Sequence, residues 1–207
     1  MKLKWIVFLS ASGFVALLAW LFSAHGAQSV YSTPFAALSS VPVPEIPAKA
    51  ADLVHAAAAS NRDLTVDEVL HDVAAIAKPG VLPYVVSAIC RGNPETAESV
   101  VAAAIELQPD DVLIFCRAAL CAAPGQAEHV VYSACKAAPA SCADVALVAC
   151  RQLPSACQLI LAGFASAMPG LQVYLEKAEL RVGTNNCEAV ISNTAQLFNE
   201  GLKTQAK

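Results

Sequence analysis

Eight cysteines are the residues of this sequence with the most chemistry to offer: Cys90, Cys116, Cys121, Cys135, Cys142, Cys150, Cys157 and Cys187. A thiol can be oxidised to a disulfide, exchange with another disulfide or, as the thiolate, hold a soft metal. Redox and metal sites built on cysteine favour a C-x-x-C spacing, and the sequence contains none. The short intervals are five residues from Cys116 to Cys121 and seven from Cys135 to Cys142 and from Cys150 to Cys157. In a chain that leaves the cytoplasm, an even number of cysteines points first to disulfides.

Other reactive types are scattered. His25, His55, His71 and His129 have no serine, aspartate or second histidine at a spacing that makes a catalytic pair or ligand set. His71 and His129 read as solvated residues on helix surfaces. Asp110 and Asp111 are adjacent carboxylates, but they open a helix, where acids complement the dipole in any case. There is no glycine-rich phosphate loop and no G-x-S-x-G. No catalytic residue, metal ligand or cofactor is therefore assigned. A net charge of -4 without a basic patch argues against a nucleic-acid partner.

What positions the cysteines is a repeat. Proline recurs every fifteen residues at Pro79, Pro94, Pro109, Pro124, Pro139, Pro154 and Pro169. Proline suits the first position of a helix and pushes the residue before it out of the α region. Each repeat reads as one short helix beginning at its proline. With proline as position 1, apolar residues fall at positions 4, 7, 8, 11 and 12, one helical face. Position 10 is small almost throughout, from Ala88 to Gly163 and Ala178, which would let helices approach closely. The expected fold is all-α, a tandem array of short antiparallel helices, similar in kind to α-solenoid repeat proteins or to a compact helical-hairpin array. The tetratricopeptide and ankyrin signatures are absent.

In that frame Cys135 and Cys142 occupy position 12 of one helix and position 4 of the next, and so do Cys150 and Cys157. Antiparallel neighbours place those positions side by side. Disulfides Cys135–Cys142 and Cys150–Cys157 are expected, with Cys90–Cys121 and Cys116–Cys187 as weaker candidates and buried thiols as the alternative for those four.

The rest of the chain frames the array. Residues 1–26 carry two lysines and an uncharged apolar run over 5–22, the pattern of an export signal or a retained membrane anchor. Residues 27–47, rich in serine and proline, read as a linker. Residues 48–78 read as an N-terminal helical cap, with Thr65 to Glu68 as a capping box. The seven repeats fill 79–183, and 184–207 forms a C-terminal capping helix and tail. Between Arg151 and Glu176 no residue is charged. Leu159, Leu161, Phe164 and Tyr174 there belong either to a core or to a docking surface for a protein or membrane. Together these features suggest an exported, non-catalytic repeat scaffold or protein-interaction module of the periplasm or cell envelope, with an unknown protein partner. The alternatives are a thiol redox or metal-handling envelope protein and a membrane-tethered structural spacer.

Overall fold

The computed structural model describes residues 34–77, 80–183 and 186–205. Residues 1–26, expected to be an export signal or anchor, and Pro79 lie outside them. All regular structure in the described residues is helical: α1 Pro34–Ser39, α2 Ile46–Ala56, α3 Arg62–Ile76, α4 Leu82–Gly92, α5 Ala97–Leu107, α6 Val112–Ala122, α7 Ala127–Ala137, α8 Cys142–Gln152, α9 Cys157–Ala167, α10 Gln172–Val182 and α11 Cys187–Gln205.

From Pro94 to Val182 the chain repeats one module. Proline opens a 3-10 turn of three residues, an α-helix of eleven follows, and a single residue links it to the next proline. Proline thus starts the 3-10 turn and not the α-helix, which begins three residues later. The linking residue explains the sharp junction. At Asn93, Gln108, Ala123, Ala138, Leu153 and Met168 φ lies between -131 and -140° and ψ between 68 and 86°, outside the α region that a following proline disfavours. At the Asn93 junction, for example, its N–H donates to Ile89 O at 2.8 Å, and its carbonyl accepts the Thr96 N–H at 3.0 Å. The proline between them has no N–H to leave unsatisfied.

Each junction turns the chain back. Between Pro139–Gln152 and Pro154–Ala167 the turn is 119°. Successive helices therefore alternate between two layers, and each packs most extensively on the helix two modules away. One layer runs α1, α3, α5, α7, α9; the other runs α2, α4, α6, α8. Position 7 is buried in every module (Val85, Val100, Phe115, Val130, Val145, Ile160, Leu175). Position 10 is where stacked helices touch. Ser133 Oγ donates to Glu98 O at 2.7 Å, and a Cβ on Gly163 would run into the Glu128 carbonyl. Ser133 and Gly163 thus meet position 5 of the helix two modules back.

The N-terminal side is more ordered than a linker. Pro34–Ser39 is helical with Leu38 fully buried, and Val43–Glu45 with Ile46–Ala56 repeats the three-plus-eleven module without a proline at its head. The linker reading fails from Pro34 onward because burial of Leu38, Ile46, Ala50 and Val54 supplies what the missing proline would have signalled. The capping box is also corrected. α3 starts at Arg62, so Thr65 lies inside it and donates to Asn61 O at 3.0 Å.

At the other end the stacking rule changes. The last module carries Gln172, Glu176 and Glu179 at positions 4, 8 and 11, where earlier modules are apolar, and Leu180 at position 12 is 88% exposed. Its linking residue is Gly183 at φ 77°, a left-handed conformation that favours glycine. The chain leaves the module path there, and α11 takes the main place against α8 while packing along α10.

Candidate functional site

Two groups of side chains are candidates. The first lines an open groove of about 610 Å³ along α3, α5 and α7. The module puts Glu98, Ser99 and Glu106 of α5, with Glu95 of the 3-10 turn before it, between Asp63 from α3 and Tyr132, Ser133 and Lys136 from α7. Bonds between stacked helices fix several of them. Arg62 pairs with Glu95, Ser99 Oγ donates to Asp63 at 2.8 Å, and His129 Nδ1 lies 3.1 Å from Glu98. Four of the lining residues are acidic, Asp63, Glu95, Glu98 and Glu106, against the single base Lys136. Asp67, on the same helix as Asp63, has its carboxyl pushed up by burial, then by Glu106 and Asp63, against the lowering effect of His71. Such a groove can bind cations or chains rich in hydrogen-bond donors.

The second group is the cysteines. Cys135 and Cys142 sit at disulfide-bonding distance with Cα atoms 4.5 Å apart, and Cys150 and Cys187 do so at 6.1 Å. Cys150 is thus matched with Cys187 and not with Cys157. The cause is the displaced α11, whose first residue is Cys187 and which lies on α8, the helix of Cys150. Cys157, half-buried at the start of α9, has its thiol pushed up by burial and then by Glu179. The two weaker pairings do not form. Cys90 and Cys116 are fully buried thiols with pKa pushed up by burial to about 12, and Cys121 is exposed, accepting a hydrogen bond from Gln152 at 2.6 Å.

No family model, no curated protein and no solved structure matches the chain. Its site must be read from its own geometry. Of the suggested docking residues, Leu161 and Phe164 are buried in the core, which removes them from any surface, while Leu159 is 40% exposed. Tyr174 is half-buried edge-to-face on Phe198 of α11, ring centres 5.6 Å apart, so it holds the closing helix. His71 and His129 are exposed, with His71 Nδ1 3.0 Å from Asp67 O. Among the described residues no three His, Cys, Asp or Glu side chains converge to hold a metal ion, and no single helix is long and apolar enough to cross a membrane.

Sequence reading missed the groove. Glu95 and Glu98 were legible as acids of a helix start, and only the two-module stacking brings them beside Asp63 and His129, more than thirty residues away in either direction. It also missed Asn93, whose buried amide donates to Ala51 O at 3.4 Å and whose Oδ1 lies 3.1 Å from His55 Nδ1. Asn93 is the single asparagine among the linking residues, which was the available signal.

Proposed function

We propose that this chain is an exported, non-catalytic helical-repeat scaffold of the cell envelope that binds a protein partner along the groove of α3, α5 and α7. The observation that carries this reading is the groove itself. Its acids come from stacked modules, and three of them, Asp63, Glu95 and Glu98, are held by bonds to the neighbouring module, as a preorganised binding face requires. Acidic lining favours a partner segment rich in lysine or arginine. The apolar run at 5–22 supports export, as a cleaved signal or an anchor. In an oxidising compartment the two cysteine pairs would become covalent staples.

Photo-crosslinking from position 99 in the protein's own cells tests the reading. A discrete adduct from the envelope fraction, lost on Glu98→Lys with Glu106→Lys, is expected. No adduct, or one unchanged by the charge reversal, sinks it. A second reading, thiol redox function, is favoured by one feature: the Cys150–Cys187 pair borders an open cavity lined by Arg151, Pro154, Asn186 and Glu188.

A further inference from the structure

Cys150 stands between two possible partners. Its match with Cys187 is direct. Its relation to Cys157 follows from the repeat, because positions 12 and 4 of consecutive modules are also those of Cys135 and Cys142. The two junctions have closely similar backbone angles. The linking residue has φ and ψ of -131° and 73° at Ala138 and of -132° and 70° at Leu153. The residue before each second cysteine has φ of -97° at Ser141 and -96° at Ala156. A junction of this shape holds the Cys135 and Cys142 Cα atoms 4.5 Å apart, inside the range a disulfide spans. Cys157 is therefore placed within reach of the same sulfur that meets Cys187, and one sulfur can hold only one of them.

We propose that Cys150, Cys157 and Cys187 form an exchange centre, in which Cys157 displaces Cys187 from Cys150 and releases the closing helix α11 from α8. The inference rests on the reading that the cysteine pairs are covalent bonds. The step is a thiol–disulfide exchange and needs no outside oxidant. Cys157 gives its proton to solvent, and its thiolate attacks Cys150 Sγ. The Cys150–Cys187 bond breaks as Cys150–Cys157 forms, and the Cys187 thiolate takes a proton from solvent. One disulfide and one thiol enter, and one of each leaves. Cys187 is a suitable leaving group, being the first residue of a nineteen-residue helix, whose N-terminal dipole favours a thiolate. Once released, it borders the open cavity lined by Arg151, Pro154, Asn186 and Glu188. Release would leave α11 held to the array by noncovalent contacts, including the ion pair of Arg151 with Glu188 and the contact of Phe198 with Tyr174.

The test uses the full chain with Cys121→Ser, which removes the exposed thiol that could compete. The protein is purified without reductant and held at mildly alkaline pH. Samples are quenched in acid, labelled with N-ethylmaleimide and mapped after pepsin digestion. The expected result is a one-for-one transfer of label from Cys157 to Cys187, the appearance of a Cys150–Cys157 peptide, and no change in total thiol. Cys187 remaining unlabelled, with Cys150–Cys187 as the sole linkage of Cys150, overturns the proposal. In the Cys187→Ser variant equilibrated with a glutathione redox buffer, a Cys150–Cys157 bond is expected. Cys150 and Cys157 both staying as thiols there, while Cys135–Cys142 is bonded, would equally overturn it. Labelling of Cys135, Cys142, Cys150 and Cys187 together would show instead that the covalent reading underneath has failed, and the exchange with it.

Discussion

At Gly163 one hydrogen atom separates two helices. A methyl there meets the Glu128 carbonyl, which belongs to the backbone of α7 and cannot swing aside alone. Overpacking of this kind costs about 1–3 kcal/mol, offset in part by the helix propensity of alanine, roughly 1 kcal/mol. Gly163→Ala is expected to destabilise by up to about 2 kcal/mol in urea denaturation, whereas Gly125→Ala, where the added atom meets nothing, should not. The buried thiols give a pH signature. Cys90 and Cys116 are raised from 9.0 to about 12 by burial, so the folded chain keeps protons that the unfolded chain loses. Stability therefore falls as pH climbs from 9 toward 12, by roughly 1 kcal/mol per thiol at pH 10. Replacing both by valine should flatten that part of the stability–pH curve, and an unchanged slope between pH 8 and 10 would contradict the assignment.

At the scale of one element, the prolines made the helices legible, but their role was read one turn off. The 3-10 turn is invisible in periodicity because positions 2 and 3 are as different as Asp110–Asp111 and Gly170–Leu171 and carry no regular apolar pattern. Thr65 was misread for a related reason: Thr-x-x-Glu fits a capping box, yet burial of Val66, Val69, Leu70 and Val73 carries the helix back to Arg62. Thr65→Ala is accordingly expected to change stability by less than about 0.5 kcal/mol in thermal or urea melts, against the ~1 kcal/mol lost with a true N-cap. The cysteine frame was legible wherever partners lie in adjacent modules, as with Cys135 and Cys142. It fails for Cys150, because the break in the last module, where Gln172, Glu176 and Glu179 replace apolar residues, does not show in the spacing of the cysteines. Those three residues stop α10 from stacking and let α11 reach α8.

For the whole molecule, contacts between alternate helices mean that the structural unit is thirty residues although the sequence unit is fifteen. Removing residues 94–123, one helix from each layer, keeps every later helix in its layer and leaves the four matched cysteines in place. Removing 109–123 alone sends each later helix to the wrong layer, against faces shaped for other neighbours. The longer deletion is expected to retain a cooperative thermal transition by circular dichroism, and the shorter one to lose it. A folded short variant would mean that the layers are interchangeable. The groove was illegible at this scale for the same reason: its acids are set side by side by stacking and not by sequence proximity.

Both matched cysteine pairs lie C-terminal to Ala134, while among the described residues every module before it is held by noncovalent contacts alone. With those pairs bonded, the molecule has two mechanical halves. Pulled from its ends, it should pay out from the N-terminal side first, one layer pair after another. The chain between Cys150 and Cys187, a separation of 37 residues, would stay shielded from the load. In single-molecule stretching, a reductant should lengthen the fully extended chain by roughly 130 Å from that loop. An equal length with and without reductant would show that this end of the array bears force as openly as the other.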